Sequence, residues 1–144
     1  MFRYQILIEY VGTSFIGWQI QKKGKTIQGV IQKNISKLIK EKITVNGSGR
    51  TDTGVHAIEQ SAHFECTNRI QDFKKFLNSI NYFLNKHEIA ILKIKKRNLN
   101  FHARFSAKER IYKYVIYNRS SEPSLNKLRG WHIKKKIDVK LMMI

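Results

Sequence analysis

The chain has 144 residues, 42% of them hydrophobic and 11% aromatic, which is enough apolar material for one packed core of ordinary size and too much for a disordered chain. Its 28 Lys and Arg against 10 Asp and Glu give a formal net charge of +18, which favours a polyanionic partner, with nucleic acid ahead of an anionic membrane. No apolar run reaches the roughly 20 residues that span a bilayer, the start MFRYQILIEYVG alternates instead of forming a signal-peptide block, and Cys66 stands alone. A cytoplasmic protein with neither a disulfide framework nor a Cys-rich zinc site is expected.

In chain order, Phe2 to Val11 alternates with Tyr4, Ile6, Ile8 and Tyr10 on one face, the pattern of a well-buried strand. Gly12, Gly17 and Gly24 then punctuate a loop carrying Phe15 and Trp18, aromatics that serve equally as folded-back plugs or as stacking surfaces. Ile27, Val30, Ile31, Ile35, Leu38 and Ile39 recur at helical spacing behind Thr26, a fitting N-cap, and leave a basic outer face. A short strand is expected at Ile43 to Val45, a second at Gln60 to Cys66, then an amphipathic helix over Phe73 to Leu84 and strands at Glu88 to Ile94 and Arg110 to Asn118. This order predicts an α/β (α+β) sandwich: a largely antiparallel mixed sheet with two helices on one face, in a ferredoxin-like or RRM-like arrangement. Pro123 lies in a polar loop, so the expected division is a domain over 1–118 followed by a basic segment over 119–144. There Ile137, Leu141 and Ile144 begin a helix-like pattern.

Chemistry concentrates between Gly47 and Ala57. Here Asp52 stands with Arg50 two residues before it, hydroxyls at Thr51 and Thr53, and His56 nearby. An aspartate in a glycine-rich loop most often bonds turn amides; the competing reading is a carboxylate aimed into an anion-binding cleft as nucleophile or base. A P-loop is excluded because Gly54 is followed by Val55 and His56 rather than by a lysine and a hydroxyl. Asp52, His56, His63 and Cys66 lack metal-ligand spacing, so no metal is expected, and Ser48 lacks the frame of a strained nucleophilic serine.

The string GRTDTGVHA, Gly49 to Ala57, closely resembles the signature of the tRNA pseudouridine synthases of the TruA type. YVGTSFIGWQIQ, TIQGVIQKNI, QSAHFE and FHARFSAKERIYKYVIYN resemble further motifs of that family, in the family's order across nearly the whole chain. Val11 stands where the family usually carries Asp, and Asn85 where a proline often follows the helix. The resemblance implies the pseudouridine synthase fold and an isomerase converting uridine to pseudouridine in tRNA, commonly at the anticodon stem-loop, with no cofactor. It implies Asp52 as the catalytic residue, Arg50 and Tyr112 as substrate-binding residues, and His56, His102 and Arg104 as residues that fix loop geometry. Family members commonly form homodimers and are roughly twice this long, so the chain is expected to correspond to an N-terminal half. The alternative is a non-catalytic RNA-binding module, or an inactive truncated half; a ribosomal-type structural protein ranks third. Lys22, Lys23 and Lys25, with Lys33, Lys37 and Lys40 on the first helix, suit phosphate contact, although lysines on such faces also simply solubilise.

Overall fold

The computed structural model describes residues 1–142 and divides the chain into two compact units, Met1–Lys108 and a second from Glu109 onward. In the first, β1 (Phe2–Tyr10), α1 (Ile27–Ile39), β2 (Asn46–Gly47), β3 (Ala57–Cys66), α2 (Phe73–Leu84) and β4 (Ile89–Arg97) follow one another. The strands form one sheet in the order β2-β3-β1-β4 with every neighbouring pair antiparallel. This is the ferredoxin-like arrangement, an interleaved pair of β-α-β units. Among the described residues no helix is long and apolar enough to cross a membrane.

The alternation of β1 decides which sheet face is covered. Tyr4, Ile6, Ile8 and Tyr10 are fully buried beneath Ile27, Ile31 and Ile35 of α1 and Phe76, Ile80 and Leu84 of α2. Both helices therefore lie on one face; Thr26 caps α1 as its sequence suggests, accepting from the Gly29 N–H, and Asp72 caps α2, accepting from the Lys75 N–H. The opposite face is a polar ladder. Gln5 Nε2 donates to Ser61 Oγ at 2.8 Å, Arg97 Nε donates to Gln5 Oε1 at 2.8 Å, and Arg3 Nε donates to Glu65 Oε1 at 2.9 Å.

Two expected strands differ, each for a hydrogen-bonding reason. Ile43 and Val45 are buried but belong to no strand, because side chains of α1 take their backbone groups. Gln28 Nε2 donates to the Val45 carbonyl at 2.7 Å, Gln32 Oε1 accepts from the Val45 N–H at 3.1 Å, and Ser36 Oγ accepts from the Ile43 N–H. Two side-chain amides thus replace a neighbouring strand, and pairing begins only at Asn46. The strand expected over Arg110 to Asn118 is reduced to β5 (Ile116–Asn118), which pairs in parallel with β6 (Trp131–Ile133) inside the second unit. Residues 110–115 lie outside the strand, with the Val115 carbonyl accepting from the Trp131 N–H at 2.7 Å, and Ile111, Tyr112 and Tyr114 are exposed. Beyond β6, Val139–Met142 form a single tight 3-10 turn where the helix-like pattern is expected to start, while Ile144 lies outside the described residues.

Because Ile31 is completely buried, Ile31→Ala should lower unfolding free energy by about 2–5 kcal/mol, whereas Lys33→Ala on the exposed face of the same helix should stay within about 0.5 kcal/mol. Denaturant unfolding of the two variants measures the difference.

Candidate functional site

Between β2 and β3 the chain from Ser48 to His56 leaves the sheet, and residues distant in sequence hold it by its backbone. At its root, the Ser48 N–H donates to the Ser61 carbonyl at 2.7 Å, and Gln60 Nε2 donates to the Gly49 carbonyl at 2.7 Å. At its centre Thr51 is gripped twice: its hydroxyl lies 2.7 Å from the Tyr10 hydroxyl, and its carbonyl accepts from the Trp18 N–H at 2.9 Å. On its far side the Gly54 N–H donates to the Phe15 carbonyl at 3.3 Å, and the Gly12 N–H donates to His56 Nδ1 at 3.1 Å.

These grips need close backbone approach. A Cβ built on Gly12 would sit 1.9 Å from the Val55 carbonyl oxygen, and one on Gly17 would sit 2.7 Å from that of Thr51 at a backbone φ of +103°. Only glycine allows either approach. Phe15 and Trp18, for which the sequence admits both plug and stacking surface, are plugs: both are buried, and Trp18 packs against Tyr10 with ring centroids 6.1 Å apart. Burial pushes the Tyr10 phenol above its ordinary pKa, and the bond to Thr51 offsets this only in part, so the hydroxyl keeps its proton at neutral pH.

What this scaffold presents is Arg50 and Asp52, both exposed on the one loop. The turn after Asp52 is closed by backbone alone, with the Val55 N–H donating to the Asp52 carbonyl at 3.2 Å. Among the described residues no hydrogen bond joins the Asp52 carboxylate to this turn. His56 sits below, accepting from Gly12. His102 and Arg104 follow β4: His102 packs edge-on against His63 with centroids 4.6 Å apart, and the Arg104 guanidinium lies 5.9 Å from the centre of the Phe105 ring. Tyr112 belongs to the second unit and is exposed. No local pattern in the sequence marks Tyr10, Gly12, Gly17 or Gln60 as supports of this loop. Tyr10 in particular shows a core-strand pattern, and only the fold reveals that its hydroxyl emerges at Thr51.

His63 is a second notable group, almost fully buried on the polar face of the sheet, with Nδ1 accepting from the Ala103 N–H at 3.1 Å. Burial, then the neighbouring His102 and Arg3, push its pKa down to about 4, against a smaller upward pull from Glu65. Among the described residues no three His, Cys, Asp or Glu side chains converge as metal ligands do.

Gly12→Ala should displace the loop from β1 and cost about 1–3 kcal/mol, read by thermal or denaturant unfolding, with weakened protection of the Gly54 amide in hydrogen exchange. At His63 the unfolded chain takes up a proton near pH 6.5 and the folded chain only near pH 4, so the contribution of this residue is complete above pH 6.5 and declines as pH falls towards 4. The protein should be about 2 kcal/mol less stable at pH 5 than at pH 7 on this account, and His63→Asn, which keeps an acceptor for Ala103, should flatten that part of the profile.

Comparison with known proteins adds an independent line. A family model described as tRNA pseudouridine synthase matches residues 6–106. The tRNA pseudouridine synthase A of Pelagibacter ubique (strain HTCC1062) is 66% identical over 142 residues, covering 99% of this chain and 58% of that protein. The proteins of the same name from Ehrlichia ruminantium (strain Gardel) and Anaplasma marginale (strain Florida) are 45% and 43% identical, over 98% and 95% of this chain and 57% and 56% of their own lengths. The chain thus spans less than three fifths of the curated relatives it matches.

Proposed function

The chain belongs to the tRNA pseudouridine synthase family, and from that premise we propose that it carries the catalytic loop of an isomerase converting uridine to pseudouridine in the anticodon stem-loop of tRNA, with Asp52 as the catalytic residue. One observation carries this reading: an exposed carboxylate stands on a loop whose backbone is fixed from Tyr10, Gly12, Phe15, Trp18 and Gln60, while the carboxylate takes no part in closing its own turn. A solvated spacer has no need of such support. Preorganised placement of a reacting group is what a catalytic loop requires.

Pseudouridine formation breaks the N1–C1′ bond of uridine, turns the uracil and joins C5 to C1′; the C5 proton leaves and N1 gains one, so the product is an isomer of the substrate. The reaction asks of the protein a carboxylate that either attacks the nucleoside covalently, at C1′ or C6, or removes the C2′ proton to give a glycal. Asp52 serves either route. The target base must first leave its stack, which costs a few kcal/mol, and Arg50, exposed on the same loop, offers a planar cation that can stack on bases or bond phosphate. Tyr112 carries a role here through its match to the family motif alone, as an aromatic face for the uracil. His56, His102 and Arg104 are positioning residues in the same reading, His56 through its bond to Gly12. The net charge of +18 gives tRNA a strong electrostatic attraction to the chain.

The test is to incubate the chain with unmodified tRNA transcript and quantify pseudouridine after digestion. The parent should form product, and Asp52→Ala and Asp52→Asn should lose it by at least about a thousandfold while binding tRNA within about threefold of the parent. Equal product from parent and variants, or RNA binding with no product from any of them, contradicts the proposal.

A further inference from the structure

Cations converge at a second place on the molecule, contributed by three separate stretches of chain. Lys25 lies in the loop before α1, Lys33 on the exposed side of α1, and Lys86 and His87 in the short 3-10 turn after α2. Lys25 Nζ is 3.2 Å from His87 Nδ1 and also sits over the Phe15 ring, 4.7 Å from its centre. Burial, followed by the positive charges of Lys25, Lys33 and Lys86, holds the His87 imidazole below its ordinary pKa, and Lys86 Nζ, next to it in the chain, lies over the Tyr82 ring, 4.9 Å from its centre. None of these lysines has a carboxylate within ion-pairing distance; among the described residues the ion pair is that of Arg3 with Glu65. Glu88, next in sequence, gives its carbonyl to the Val11 N–H at 3.0 Å, and its side chain joins none of them.

Gathering like charges without a counter-charge costs free energy, which a bound anion recovers. The location says which anion. β1 ends, α1 begins, β3 begins and β4 begins at this same end of the sheet, and Phe15, on whose ring Lys25 rests, gives its carbonyl to Gly54 of the Asp52 loop. We propose that Lys25, Lys33, Lys86 and His87 form an anchor for a backbone phosphate of the RNA strand that flanks the nucleotide presented to Asp52. The proposal rests on the RNA-directed reading above and adds a binding site to it. The ligand is a phosphodiester of RNA, held by charge at the helix side of the loop while the base is handled on the loop itself.

Measuring tRNA affinity over a salt series in the Asp52→Asn chain keeps turnover out of the test. The triple variant Lys25→Ala, Lys33→Ala, Lys86→Ala is compared with a charge-matched set at the other end of the sheet, Lys42→Ala, Lys74→Ala, Lys75→Ala; that end is marked by the bond between the Thr67 N–H and Glu41. The first set should weaken binding about tenfold and flatten the log–log salt dependence by about 0.7–0.9 for each phosphate no longer neutralised, with the second set within about threefold of the parent. Equal effects of the two sets, or no effect of the first, overturn the anchor, since net charge alone then accounts for binding. Cluster-specific weakening, combined with no pseudouridine from the parent chain that keeps Asp52, supports the anchor and removes the isomerase reading. Product formation with no cluster effect does the reverse.

Discussion

Everything proposed for this chain depends on how Thr51 is held. Its hydroxyl meets Tyr10 at the end of the central strand and its carbonyl meets Trp18 from the loop before α1, so the residue preceding Asp52 is tied to two different parts of the core at once. Net stabilisation from each bond is modest, about 0.5–1.5 kcal/mol, but their effect on position is larger than their effect on stability. With Thr51 fixed and the turn after Asp52 closed by backbone, the carboxylate has only its own side-chain torsions left to explore. The glycines at 12 and 17 are the complement of this arrangement, because each permits a backbone approach that any side chain would block.

The fold serves the same end. Four antiparallel strands with two helices on one face bring the end of β1 and the start of β3 side by side, and the loop before β3 lies against the longer loop after β1. Core packing by Tyr4, Ile6, Ile8 and Tyr10 sets the depth of β1 beneath the helices, and Tyr10, last of the four, turns a core position into a support for the loop. Charge then organises what the loop can meet. The basic excess is spread over the surface, yet beside the loop Lys25 lies 3.2 Å from His87 and, among the described residues, neither it nor Lys33 or Lys86 is paired to an acid, which is a more specific statement than a high isoelectric point.

Much of the architecture is legible in the sequence because it follows from local periodicity. The two-residue alternation of β1, the helical spacing over Ile27–Ile39 and Phe73–Leu84, and the cap at Thr26 are properties of short windows. The misplaced strands are not. Val45 has strand-like composition, and whether it joins a ladder is decided by Gln28 and Gln32 on α1, whose amides reach it first. Tyr112 alternates with its neighbours as a strand residue should, but among the described residues the pairing of this stretch begins only at Ile116. The loop is conspicuous for its glycines and its lone carboxylate, whereas its supports are hidden, because the bonds from Tyr10, Gly12, Phe15 and Trp18 join residues far apart in the chain and no local rule reports them.

The central claim is that the loop bearing Asp52 is rigid before any RNA arrives. Amide hydrogen exchange on the free protein measures this directly at the Trp18 N–H, which donates to Thr51, and at the Gly54 N–H, which donates from the loop to Phe15. The account predicts protection at both approaching that of the β1 amides in the core; exchange at either within about tenfold of an unstructured chain would contradict it.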